Sequence, residues 1–204
     1  MNTELSFRIS IAVVMLALVS LRVSQIGWAT FGFSKSDEKI STARASKTWY
    51  TLTLAIGWLW AIAPLVYAVA PGWLLWATLP MPTISRWIGV GLGIINIVLL
   101  GWAQQTLGKN WAAPGEIQER QTLVTVGSYQ WMRHPMYTSG ALIALAYSLI
   151  SANWFVALMG LAYWTLVFTM VETEEATLIE KFGDDYREYM RRTGRFLPRV
   201  FSGG

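Results

Sequence analysis

Long uncharged apolar stretches alternate with polar connections along this chain, and their lengths are those of membrane-spanning helices. The first runs over residues 9–21 between Arg8 and Arg22. With Phe7 and residues 23–27 it reaches spanning length, Arg22 snorkelling to the interface. A signal peptide would need a small-x-small cleavage site after Leu21; none follows, so a retained helix is expected. Residues 34–47 are polar and read as a solvated loop. A second span covers 49–70, with Pro64 as a kink and Pro71-Gly72 as its end. Trp73, Trp76, Pro80 and Pro82 form a short interfacial segment. The third span is 87–104. Spans four (137–151) and five (154–171) are joined only by Ser151-Ala152-Asn153, a tight antiparallel hairpin. The pattern predicts an all-α polytopic membrane protein of about five transmembrane helices, with a helical cytoplasmic C-terminal tail and no Rossmann domain. It is expected to be one domain over 1–204: three N-terminal spans (1–104), then a cofactor-binding loop, the hairpin and the tail (105–204).

Composition supports this. Of 204 residues 54% are hydrophobic and 14% charged, against about 25% charged in soluble domains. The net charge of +4 would suit nucleic acid, but sidedness explains it: every lysine and arginine except Arg8 and Arg86 falls on one side of the five-span topology. By the positive-inside rule that side is cytoplasmic and the N-terminus is outside. No nucleic-acid partner is needed; membrane lipids are the expected surroundings. The absence of cysteine excludes disulfides, thiolate metal sites and a catalytic cysteine. Gly89, Gly91 and Gly93 lie inside an apolar run, not between a strand and a helix. They therefore predict close helix contact rather than a nucleotide loop.

The candidate chemistry centres on residues 128–137, which hold the only histidine. His134 is expected to cap a helix whose first residue is Pro135, where a missing N–H costs nothing. The helix start, with Arg133 beside it, makes a natural anion seat. His134 and Glu172 are equidistant in sequence from Asn153, about 28 Å along each arm, so both return to one membrane edge. Glu172 and Glu175 share a helix face and Glu174 is expected to turn away. Acids at a helix C-terminus oppose its dipole, which points to a cationic partner or ligand. Beyond them Leu178, Ile179, Phe182, Tyr186 and Tyr189 continue an aromatic-apolar face, readable as plain packing or as a ligand slot. Arg191, Arg192, Arg195 and Arg199 follow. An anion seat opposite carboxylates and aromatics would suit a zwitterionic nucleotide with a cationic centre, such as S-adenosylmethionine. No metal site is expected.

Arg133-His134-Pro135-x-Tyr137, then two spans, Glu174-Glu175-x-x-Leu178, Phe182-Gly183-x-x-Tyr186-x-x-Tyr189 and Arg195-Phe196-Leu197-Pro198, resemble the isoprenylcysteine carboxyl methyltransferase family. Phospholipid N-methyltransferases share a related pattern. The resemblance covers the C-terminal half, from Leu107-Gly108-Lys109-Asn110-Trp111 onward. It implies an integral membrane methyltransferase using S-adenosylmethionine, held by His134, Tyr137, Glu175, Glu174 and Tyr186. Arg133 and Arg195 would orient an anionic acceptor, a lipophilic or lipidated substrate entering from the bilayer of a bacterial or archaeal cell.

A carboxylate acceptor would itself be the nucleophile, needing only alignment and dryness. An amine, thiol or phenol would need a base, His134 or Glu172. Two other readings stay open: a membrane reductase binding the 2′-phosphate of NADPH through Arg191, Arg192 and Arg195, and a non-enzymatic membrane scaffold.

Overall fold

The computed structural model describes residues 3–32, 39–41, 47–110, 116–118 and 121–199. Among the described residues six α-helices carry the fold: α1 Thr3–Gly32, α2 Lys47–Val69, α3 Thr83–Leu107, α4 Pro135–Ser151, α5 Trp154–Phe182 and α6 Asp184–Arg192. The membrane reading holds, with one adjustment. Among the described residues four helices are long and apolar enough to cross a bilayer: Thr3–Ser24, Thr51–Val69, Thr83–Leu107 and Trp154–Phe182. The expected fourth span, α4, is apolar but only 17 residues long, about 26 Å at the helical rise, a little under the hydrocarbon thickness.

The polar connections also hold a minimal sheet that periodicity did not suggest. β1 Lys39–Ser41 pairs antiparallel with β2 Glu116–Gln118, Ile40 opposite Ile117. Most of the 34–47 loop, and Trp111, Pro114 and Gly115 of the second connection, lie outside the described residues.

The chain divides into two compact units, neither following the expected 104/105 boundary. One comprises Met1–Ser20, Ala45–Val98 and Ser139–Val167; the other comprises Leu21–Arg44, Leu99–Thr138 and Phe168–Gly204.

The first unit holds an apolar core of Phe7, Ile11, Val14, Tyr67, Ile143, Tyr147, Ile150 and Val156. Its helices approach closely where the glycines were expected to allow it. A Cβ on Gly89 would lie 2.8 Å from the Cβ of Leu149, and one on Gly93 would lie 3.1 Å from Val14. The Pro71–Ala77 segment is a 3₁₀ turn with Trp73 and Trp76 exposed, as an interfacial segment requires. The hairpin turn places Ala152 at φ 46. Asn153 Oδ1 then caps α5, accepting from the N–H groups of Phe155 (3.1 Å) and Val156 (3.2 Å), while its Nδ2 donates to the Leu74 carbonyl. One ionic cluster fastens this unit. Arg86 donates to Glu4 (2.7 Å), to the Tyr67 hydroxyl and to the Ile150 carbonyl, and lies 4.0 Å over the Phe7 ring. Arg8 donates to the Ala68 carbonyl.

Candidate active site

The second unit contains every residue singled out from the sequence as a candidate. Its organising group is Glu175, whose side chain is 4% exposed. A carboxylate this buried must be paired and hydrogen-bonded. Three donors converge on it: Arg133 Nε and His134 Nε2 on Oε1 at 2.9 and 3.1 Å, and Arg195 Nη2 on Oε2 at 2.5 Å. Since a carboxylate only accepts, His134 Nε2 carries the hydrogen, and in the neutral ring Nδ1 keeps the lone pair.

Three segments distant in sequence build this arrangement. α4 opens at Pro135 as expected, the His134 carbonyl accepting from the N–H of Thr138 at 3.1 Å. Residues 132–134, just before it, lie outside any helix. They pair in parallel with the tail through a Met132↔Gly194 bridge. Arg133 N–H donates to the Gly194 carbonyl (2.9 Å) and His134 N–H to the Arg195 carbonyl (3.0 Å). Gly194 is required there, because a Cβ would lie 1.9 Å from the Leu197 carbonyl oxygen. The tail reaches this edge because α5 ends at Gly183, with φ 57, and α6 folds back. α6 buries Tyr186 and Tyr189, and the Tyr189 hydroxyl donates to the Tyr129 carbonyl at 2.6 Å.

Three expectations are corrected here. The anion seat beside Arg133 is filled by the chain's own Glu175. Arg133 is buried and its Nη1 donates to the carbonyls of Met190 (3.2 Å) and Thr193, so it ties down the end of α6. The three acids, moreover, are not at a helix C-terminus: α5 runs on to Phe182, and the dipole argument does not apply. Nor does Glu174 turn away. Its Oε2 accepts from the Tyr137 hydroxyl at 2.6 Å, and Glu172 is the outlying acid, 78% exposed and 3.9 Å from Arg195 Nη1.

Aromatic rings line the neighbourhood. His134 stands edge-on to Tyr137 at 5.4 Å and 6.0 Å from Phe196, which meets Phe168 at 4.6 Å in a T-shaped contact. Phe168 and Leu197 are exposed. Tyr186 is fully buried against Tyr189, 5.8 Å between ring centres. Burial, and then the Glu175 carboxylate, push the Tyr186 phenol well above its usual range. Burial does the same at Tyr129 and Tyr189, so none of the three is a phenolate at neutral pH. The three arginines considered for a 2′-phosphate do not converge. Arg191 and Arg192 pair with Glu188 at 2.8 and 3.3 Å, whereas Arg195 turns to Glu175.

The sequence reading missed the Met132↔Gly194 pairing and the destination of the Arg133 side chain. The available signal was the pair of pre-proline residues, His134 and Leu197, both biased to extended backbone.

Comparison with known proteins gives this geometry a context. The chain is 32% identical over 122 residues to the cobalt-zinc-cadmium resistance protein CzcN of Cupriavidus metallidurans, covering 57% of this chain and 55% of that one. It is 33% identical over 117 residues to the protein-S-isoprenylcysteine O-methyltransferase of Xenopus laevis, covering 55% of this chain and 40% of that one. The chain thus spans about half the length of the curated relatives it matches. Among solved structures, the eukaryotic intramembrane Ras methyltransferase ICMT (isoprenylcysteine carboxyl methyltransferase) has the same fold. The TM-score is 0.52 at 24% identity, over 91% of this chain and 61% of that one. The expected isoprenylcysteine methyltransferase resemblance is borne out by these relatives. The profile described as Phospholipid methyltransferase matches residues 84–185, half of the chain, including Arg133, His134, Tyr137 and the acids of α5 but not Arg195, and the chain belongs to that family.

Proposed function

We propose that this protein transfers a methyl group from S-adenosylmethionine to a lipophilic acceptor at the cytoplasmic edge of the membrane. The acceptor class favoured is an isoprenoid-type or prenylcysteine-like carboxylate. The observation that carries the reading is the convergence of Arg133, His134 and Arg195 on one buried carboxylate, with the Tyr137–Glu174 pair and three aromatic rings beside it. The names of the isoprenylcysteine O-methyltransferase relatives support it.

When bound, S-adenosylmethionine supplies an electrophilic methyl group on a sulfonium centre. The donor set fits such a molecule. Glu174 with Tyr137 offers an acceptor and a hydroxyl for an ammonium and ribose hydroxyls, and the rings of Tyr137, His134 and Phe196 offer faces for a cation and an adenine. Glu175 and Arg133 act from behind. Glu175 fixes the His134 ring and the Arg195 guanidinium, and Arg133 fixes Glu175 and the end of α6. Tyr186 holds α6 from within as a neutral phenol. Arg195, 39% exposed, is left to orient an anionic acceptor. The lipophilic part of that acceptor would lie on Phe168 and Leu197. A carboxylate brings its own lone pair, so the residues supply alignment and exclude water. The membrane orientation in this reading, N-terminus outside and C-terminus cytoplasmic in a bacterial or archaeal cell, rests on the lysine and arginine distribution.

The family's description favours one alternative, a phospholipid amine as acceptor. It would need a base, and His134, through its Nδ1, and Glu172 are the candidates for it. The metal-resistance relative CzcN is named for a process rather than a donor set. Among the described residues no group of three His, Cys, Asp or Glu side chains could hold a metal ion.

The test is methyl transfer by purified protein in lipid nanodiscs. Tritiated S-adenosylmethionine is supplied with N-acetyl-S-farnesylcysteine or with phosphatidylethanolamine. Base-labile label on the farnesylcysteine is expected. Base-stable label on the phospholipid would move the acceptor to an amine. No transfer, together with oxidation of NADPH, would overturn the reading in favour of a reductase.

A further inference from the structure

Arg195 is not alone at the exposed rim of the site. Its Nη2 is committed to buried Glu175 at 2.5 Å, while its Nη1 faces Glu172 Oε1 at 3.9 Å. Glu172 lies one turn before Glu175 on α5, and its side chain is 78% exposed. One further turn back is exposed Phe168, packed edge-on against Phe196. The rim therefore carries an apolar edge followed by an arginine bracketed by two carboxylates. Arg133 and Arg195 against Glu175 and Glu172 make a cluster with no net charge. Glu172 is a poor partner for holding Arg195, since an exposed pair at this distance contributes little to stability. Its position matters for another reason: an anion approaching Nη1 of Arg195 must come up beside Glu172.

We propose that Glu172 is a specificity-determining residue that screens Arg195 and disfavours anionic acceptors. The site then discriminates acceptors by the charge on the group next to the apolar tail. A carboxylate acceptor displaces Glu172 from Nη1 when it binds, rather than filling a vacant seat. This deepens the methyltransferase reading and rests on it. Replacing Glu172 by glutamine keeps the size and polarity and leaves the cluster with a net positive charge. One unit charge at about 4 Å in water changes affinity about five-fold.

The experiment measures dissociation constants of N-acetyl-S-farnesylcysteine and of its uncharged methyl ester for protein loaded with S-adenosylhomocysteine. Wild type and Glu172→Gln are compared in low salt and at about 1 M salt, where the screening length is about 3 Å. Glu172→Gln is expected to bind the acid about five-fold more tightly than wild type, with the ester and S-adenosylhomocysteine unchanged, and to lose most of that gain in high salt. Glu172→Asp, which keeps the charge, is expected to stay within about two-fold of wild type. Equal changes for acid and ester, or none, would overturn the proposal. So would weakened S-adenosylhomocysteine binding, which would place Glu172 in the cofactor seat. Homocysteine-product binding without binding of acid or ester would overturn it while leaving methyl transfer intact. Absence of S-adenosylhomocysteine binding in wild type would instead remove the methyltransferase reading itself.

Discussion

Arg86 in one unit and Arg133 in the other are put to the same mechanical use. Each donates to a glutamate and to a backbone carbonyl at the end of a helix: Arg86 to Glu4 and Ile150, Arg133 to Glu175 and Met190. A helix end leaves carbonyls without partners, and an arginine fork can satisfy one while holding an acid. The consequences differ. Around Arg86 the groups close on one another, Tyr67 donating to Glu4 at 2.5 Å and Phe7 covering the guanidinium. Around Arg133 the acid is deeper, 4% exposed against 45% for Glu4, yet two further donors reach it and one of them, Arg195, extends to solvent. The comparison teaches that charge alone does not mark a site. The Arg86 cluster leaves its acid half-exposed, whereas the Glu175 cluster buries its acid and leaves a cation, Arg195, half-exposed in the unit that also exposes Phe168 and Leu197.

The sharpest way to break this contrast is Glu175→Gln. An amide offers one oxygen and one NH₂ to three donors, so at least one guanidinium meets another donor. Breaking a buried pair costs about 3 kcal/mol. The variant is expected to melt earlier and to bind S-adenosylhomocysteine at least about 100-fold more weakly, by thermal unfolding and calorimetry. Arg86→Ala should separate the two clusters. It loses a carbonyl bond, a ring contact and a half-exposed ion pair, about 1–2 kcal/mol in all. Its S-adenosylhomocysteine affinity should equal that of wild type; a parallel loss would mean that the clamp also serves binding. Tyr137→Phe removes only the hydroxyl bond to Glu174, and about ten-fold weaker binding with little change in melting is expected, since a charged acceptor's hydrogen bond contributes about 1.5 kcal/mol at the low end. The smallest effect belongs to the first unit. Asn153→Ala removes the α5 cap, with about 1 kcal/mol lost in melting experiments and no change in ligand affinity.

The parts of this picture that were legible in the sequence follow local rules. Pro135 opens α4, and Asn153 is the pivot of a hairpin in which His134 and Glu172 are equally far away along the sequence. That equality alone predicts that His134 and the acids of α5 meet, and His134 lies 3.1 Å from Glu175. The hidden parts depend on which side of an element a long side chain takes. Glu174 and Glu172 exchange their expected roles because α5 continues past both, and the position of Tyr137 on α4 decides which acid is satisfied. Arg133 reads as an anion binder when only its neighbours in sequence are seen. Its buried partner and the carbonyls of Met190 and Thr193 arrive from residues far along the chain. The tail's pairing with Met132 left only the two pre-proline residues as a trace, because a single parallel bridge has no periodicity.

The most direct measurement is calorimetric titration of S-adenosylhomocysteine, with NADPH in parallel, into purified wild type, His134→Ala and Arg86→Ala. Saturable S-adenosylhomocysteine binding in wild type, lost in His134→Ala and retained in Arg86→Ala, is the result predicted. Binding that survives in His134→Ala, or binding of NADPH alone, would contradict the account.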